Sequence, residues 1–166
     1  MKGLMKETRQ LAKEVIEQCI ARDLRMVAAE SMTGGLLMAE LTSIPDASKV
    51  IEKSYIVYSE QAKIDVLCVP KEVIETETAY SKKTVESMIQ GLNKLSKANI
   101  KIAISGIAGP KAFVDLDVGT VFIGIDINNQ LFTYKKHFDG DRQSIRYETI
   151  KFVFEVLMNY FSKKEG

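Results

Sequence analysis

Short apolar runs that break off at glycine-bearing turns alternate with helical stripes along this chain, and that alternation constrains its fold more than any other feature. Met26-Val27-Ala28-Ala29 stops at Glu30-Ser31-Met32-Thr33-Gly34-Gly35, after which Leu36, Leu37, Ala39, Glu40 and Leu41 have a helical composition. Ile100-Lys101-Ile102-Ala103-Ile104 likewise stops at Ser105-Gly106-Ile107-Ala108-Gly109-Pro110. Short strands of this kind, separated by helices, form a parallel sheet covered on both faces. The helices are read from apolar residues at spacings of three to five: Leu11, Val15, Ile16, Cys19 and Ile20 over residues 5–22, and Val85, Met88, Ile89, Leu92 and Leu95 behind an N-cap at Ser81. A last helix over about 141–160 carries Ile145, Ile150, Val153, Phe154, Leu157 and Phe161.

Tyr55-Ile56-Val57-Tyr58 predicts a further strand, and residues 70–78 a short helix at most. Asn128-Asn129-Gln130 joins two β-rich runs, 118–127 and 131–138, as an antiparallel hairpin at the sheet edge. The prediction is a single three-layer α/β/α domain over residues 1–166, with a largely parallel sheet. A length of 166 residues, 46% hydrophobic and 27% charged, suits one self-sufficient core.

Charge and residue counts narrow the function. The balance of 23 basic against 22 acidic residues leaves +1. No global field draws the chain to nucleic acid or to an anionic membrane, so an anionic ligand must be held by a local site. Cys19 and Cys68 lie far apart without a CxxC spacing, and MKGLMKETRQ has no apolar run of signal-peptide type, so a reducing, cytoplasmic location is expected. No stretch approaches the roughly 18 apolar residues of a membrane span. A single histidine, His137, and no HExxH leave a zinc hydrolase without its parts, and no metal or other cofactor is expected. Asp115 and Asp117 read as a solvated loop pair, His137 as a structural or exposed residue, and the seven methionines as packing. The chemistry is left to Ser, Thr, Lys, Tyr, Arg or carboxylates.

Ligands of open α/β sheets gather beyond the carboxyl ends of the strands, so both glycine turns should face one crevice. There the backbone of Thr33, Gly34 and Gly35, and of Gly106, Ile107 and Gly109, offers N–H donors to an anion or an oxyanion. The alternative is tight turns with ordinary helix caps. If the Tyr55–Tyr58 strand lies beside the first, Tyr58 and Lys63 come near Ser31, and a desolvated lysine can act as base toward a hydroxyl. The alternative is a solvated loop lysine and a half-buried tyrosine. Arg142 and Arg146, four apart, share one helix face and suit a phosphate or carboxylate; otherwise they pair with Asp139, Asp141 or Glu148.

At these positions the sequence resembles the CinA carboxy-terminal domain family, which includes the PncC-type nicotinamide mononucleotide amidohydrolases. The similarity runs over about residues 8–161. It rests on Ala29-Glu30-Ser31-Met32-Thr33-Gly34-Gly35, Leu41-Thr42-Ser43-Ile44-Pro45, Tyr58-Ser59 with Lys63, Ser105-Gly106-Ile107-Ala108-Gly109-Pro110, Val118-Gly119-Thr120-Val121, and Asp141-Arg142 with Ile145-Arg146. Without the amino-terminal molybdopterin-binding-like domain of long CinA proteins, the chain looks like the stand-alone form. The resemblance implies a three-layer sandwich on a mixed five-stranded sheet, a homodimer, and metal-independent hydrolysis of nicotinamide mononucleotide to nicotinate mononucleotide and ammonia in pyridine nucleotide salvage. It places the nucleophile on Ser31, a tyrosine and a lysine on Tyr58 and Lys63, a hydroxyl on Ser105, and helix-opening arginines on Arg142 and Arg146.

The chain also departs from the family pattern. Met32 replaces a cysteine and Asp46 a glycine, and Thr78-Ala79-Tyr80-Ser81 stands where Gly-Ala-Val-Ser is common. After Pro110 a glycine-rich loop gives way to Lys111-Ala112-Phe113-Val114-Asp115-Leu116-Asp117. Asp115 and Asp117 would oppose a phosphate if they faced it; pointed outward, they would leave the Phe113-Val114 pair to cover the crevice or a dimer seam. Weaker nicotinamide mononucleotide activity than a glycine-loop relative is expected. A member that binds a nucleotide or protein partner without turnover is the competing reading.

Overall fold

The computed structural model describes residues 1–113 and 115–165. In chain order its elements are α1 (Lys2–Ala21), β1 (Met26–Glu30), α2 (Leu36–Thr42), β2 (Ile51–Ile56), α3 (Glu60–Leu67), α4 (Lys71–Glu77), α5 (Lys82–Leu95), β3 (Ile100–Gly106), β4 (Thr120–Ile127), β5 (Gln130–His137) and α6 (Arg142–Lys164). Five strands form one sheet in the order β2-β1-β3-β4-β5. β1 is parallel to both β2 and β3, and β4 alone runs against its neighbours, so the sheet is mixed and four strands share a direction.

The strands divide two cores by their period of two. Met26 and Ala28 of β1, with Ile100, Ile102 and Ile104 of β3, pack against α1, α2 and α6. Val27, Ala29 and Ala103 pack on the opposite face with Val85, Met88, Ile89 and Leu92 of α5. These are the helical stripes expected from the sequence, except that Ile20 and Leu95, at the ends of their helices, are 37% exposed. Ser81 caps α5 and Asp141 caps α6, each accepting the N–H three residues on. The hairpin turns at Asn128 and Asn129, both at positive φ, as a two-residue turn between twisted strands requires.

Two elements differ from expectation. The second strand begins at Ile51 and ends at Ile56, so Val57 and Tyr58 lie past its end. As an edge strand it alternates half-buried and exposed residues and includes Glu52, Lys53 and Ser54, a pattern far less apolar than a central strand's. The segment carrying Lys63 is no loop but α3, opened by Ser59, whose Oγ accepts the Ala62 N–H at 3.0 Å. No described helix is long and apolar enough to cross a membrane.

Candidate active site

Ser31 owes its position to the end of β1. Its N–H donates to the Ile104 carbonyl at 3.1 Å, and the Glu30 carbonyl accepts the Val57 N–H at 2.9 Å, so both flanking strands grip the chain where β1 ends. By strand alternation Glu30 then points to the α2 side and Ser31 to the α3 side. Gly34 and Gly35, at φ of +58° and +94°, turn the backbone into α2 through a conformation that costs other residues strain.

Glu30 is fully buried, and its carboxylate accepts the N–H groups of Gly35 at 3.1 Å, Leu37 at 3.2 Å and Met38 at 3.2 Å. It therefore satisfies the first turn of α2, which Gly35 cannot cap with a side chain. In the sequence this residue reads only as part of the turn. The available signal was a helix with no Ser, Thr, Asp or Asn at its start and an acid at the end of the preceding strand.

On the other face α3 brings Lys63 to Ser31. The lysine is 1% exposed, and its Nζ donates to Ser31 Oγ at 3.0 Å and to the Val57 carbonyl at 2.9 Å. Burial lowers its pKa to about 8, against the opposing pull of Glu60. Of the two alternatives read from the sequence, the solvated loop lysine is excluded. Tyr58, by contrast, is 58% exposed rather than half-buried, and its hydroxyl meets Arg142, not Ser31.

The arginines face the turns. Arg142 donates to Tyr58 Oη at 2.6 Å and to the Gly109 carbonyl at 2.5 Å. Arg146 donates to the Thr33 carbonyl at 2.6 Å and to Gln143 Oε1 at 3.0 Å. Among the described residues neither has a carboxylate within ion-pair distance, so pairing with Asp139, Asp141 or Glu148 is not what orients them. Arg142 lines the cavity in front of Ser31; Arg146 does not, and instead holds the Ser31 turn by its bond to the Thr33 carbonyl.

The oxyanion donors are fewer than expected. The Gly34 N–H bonds to the Ser31 carbonyl, that of Gly35 to Glu30, and that of Ile107 to the Thr120 carbonyl. The Met32 and Thr33 amides, next after Ser31, donate to no group among the described residues. The Thr33 side chain is buried with its Oγ1 unpartnered. Ser105 is buried too, but its Oγ donates to the Ala79 carbonyl at 2.7 Å, tying β3 to the chain before α5 and not meeting Ser31. Gly106 is required by packing, since a Cβ there would fall 2.8 Å from the Thr120 carbonyl oxygen.

Ser31 opens into a cavity of about 380 Å³ lined by Ser31, Met32, Tyr58, Tyr80, Gly106, Ile107, Ala108, Gly109, Lys111, Ala112, Phe113 and Arg142. That volume suits part or all of a small ligand. A larger groove of about 1010 Å³ runs along α1 past Lys6, Arg9 and Lys151 and includes none of these residues. Asp115 and Asp117 are exposed and outside the cavity lining, while Phe113 enters it, so the electrostatic reason for expecting weak activity falls away. Val114 lies outside the described residues. His137 is half-exposed beside Asp139, and no described group of three His, Cys, Asp or Glu residues could hold a metal ion.

Comparison with known proteins shows the family. Residues 8–161 match the family described as CinA C-terminal domain. A CinA-like protein of Petrotoga mobilis is 42% identical over 82% of this chain and 34% of its own length. A putative competence-damage inducible protein of Caldicellulosiruptor bescii is 37% identical over 90% of this chain and 37% of its own. The chain thus spans about a third of the length of these relatives. Among solved structures, a CinA superfamily protein of Klebsiella pneumoniae superposes with a TM-score of 0.90 at 32% identity, covering 94% of this chain and 98% of that one. The competence/damage inducible protein CihA of Agrobacterium tumefaciens gives 0.87 at 31%, covering 92% and 94%.

Proposed function

The chain belongs to the CinA C-terminal domain family, and from its site we propose that it hydrolyses the carboxamide of nicotinamide mononucleotide to nicotinate mononucleotide and ammonia. The observation that carries this reading is the buried contact of 3.0 Å between Lys63 Nζ and Ser31 Oγ. A serine hydroxyl is a weak nucleophile until a neighbouring base takes its proton. An amine whose pKa has fallen to about 8 is partly neutral near pH 7–8, and so can accept that proton.

Ser31 Oγ attacks the carboxamide carbon as its proton passes to Lys63 Nζ, and the oxygen charge meets the Met32 amide, which has no other partner among the described residues. Lys63 returns the proton to the leaving nitrogen, which departs as ammonia and leaves an ester on Ser31. Water, deprotonated by Lys63, attacks the ester, and the acid is released as Ser31 regains its proton. Val57's carbonyl holds Nζ in line throughout. Arg142 and Lys111, both in the cavity lining, supply cationic groups for the 5′-phosphate.

The test is turnover and binding in Ser31→Ala. The reading predicts loss of ammonia release by at least about a thousandfold, with calorimetric affinity for nicotinamide mononucleotide kept within a few-fold. Turnover within tenfold of wild type would refute the covalent route, and an inactive wild type would favour the non-catalytic reading.

A further inference from the structure

Two aromatic residues far apart in the chain meet in the wall of the Ser31 cavity. Tyr80, just before α5, and Phe113, in the loop after β3, pack edge to face with ring centroids 5.0 Å apart. Their backbones are fastened: the Tyr80 N–H donates to Thr78 Oγ1 at 3.1 Å, and Phe113 exchanges both backbone hydrogen bonds with Leu116. The rings are therefore placed before any ligand arrives.

Elsewhere in the lining the polar and cationic groups are the Ser31 hydroxyl, the Tyr58 hydroxyl, which is bonded to Arg142, the Arg142 guanidinium and the Lys111 ammonium. Such a cavity matches a ligand with one planar apolar end and one anionic end. We propose that Tyr80 and Phe113 form an aromatic wall that receives the planar heteroaromatic ring carrying the carboxamide, and so select aromatic amides of mononucleotides. This proposal rests on the Ser31 cavity being the substrate site. It adds which end of the substrate each side of the cavity holds.

Aromatic faces discriminate rings from saturated groups by stacking, an effect of about tenfold or more per ring in affinity. The test measures calorimetric affinity of the Ser31→Ala protein for nicotinamide mononucleotide and for ribose 5-phosphate, which lacks the ring. The same two ligands are then measured with Tyr80→Val and Phe113→Gly added together. The starting protein should prefer nicotinamide mononucleotide by at least tenfold. The added substitutions should cut that preference to threefold or less, leaving ribose 5-phosphate affinity unchanged within twofold. If that variant fails to give a cooperative thermal melt, Tyr80→Leu with Phe113→Leu replaces it, judged by the same thresholds. No ring preference at the start, or one that survives either pair, overturns the proposal. Deamidation is read separately as ammonia release by wild type, which can fail while the ring preference stands.

Discussion

Lys63 Nζ lies 3.0 Å from Ser31 Oγ, and among the described residues no carboxylate is paired with it. A base held this way works only when neutral, so kcat/KM should rise with pH through an apparent pKa near 8 and level off above it. A profile measured from pH 6 to 10 checks this. A flat profile would show that Lys63 does not titrate in the rate-limiting step.

The same burial costs stability. Lys63 has its pKa lowered from 10.5 to about 8, so between those values the unfolded chain binds more protons than the folded one, and stability from this group rises with pH across that window. It is absent below about pH 8, where both states carry the charge and the folded state bears its desolvation. The lowering is worth about 3 kcal/mol by the usual conversion, offset in part by the lost bond to Val57. Lys63→Met should therefore be inactive yet melt higher than wild type at pH 7, with the gap closing toward pH 10. A variant less stable than wild type at pH 7 would show that the lysine's hydrogen bonds outweigh its desolvation.

Arg142 reaches Tyr58 Oη and the Gly109 carbonyl from the first turn of α6 and lines the cavity. Arg142→Ala should raise KM for nicotinamide mononucleotide by about tenfold or more while kcat changes little, as expected for a charge-assisted phosphate contact of ~1.5–3 kcal/mol. Activity on nicotinamide riboside, if measurable, should be unaffected. Tyr58→Phe removes one anchor of the guanidinium and should raise KM by a smaller factor. Equal losses on phosphorylated and unphosphorylated substrates would assign Arg142 to structure instead.

Glu30 holds three amides of the turn and of α2 next to Ser31. Glu30→Ala leaves those buried donors unpaired and should cost about 3 kcal/mol, within the range for unsatisfied groups and a lost cap. Glu30→Gln keeps an acceptor oxygen and should cost less. Urea denaturation midpoints distinguish the two; equal midpoints for Ala and wild type would show that the turn does not depend on this carboxylate.

The buried strands were the legible part of the sequence. Met26–Glu30 and Ile100–Gly106 are apolar because helices cover them on both sides, and their glycine turns mark where the site begins. Ile51–Ile56 was hard to place because an edge strand tolerates Glu52 and Lys53. The helix holding Lys63 has only eight residues and buries just Lys63 and Leu67, so no stripe announces it. The Ser31–Lys63 pair was legible as a conditional, once the strands were adjacent. The sequence places Ser105 at the site through the family resemblance and Arg146 through the helix face it shares with Arg142, but only side-chain direction shows that they bond to Ala79 and Thr33. The Tyr80–Phe113 contact joins two loops and leaves no local trace at all.

The central claim is that Ser31 and Lys63 together cleave a carboxamide. The most direct measurement incubates wild type, Ser31→Ala and Lys63→Met with nicotinamide mononucleotide at pH 8 and quantifies ammonia and nicotinate mononucleotide in the same samples. The account predicts equimolar release of both by wild type and a loss of at least about a thousandfold in each variant, since nucleophile and base act as a unit. Equimolar release that persists in either variant, or wild type that releases neither product, would contradict it.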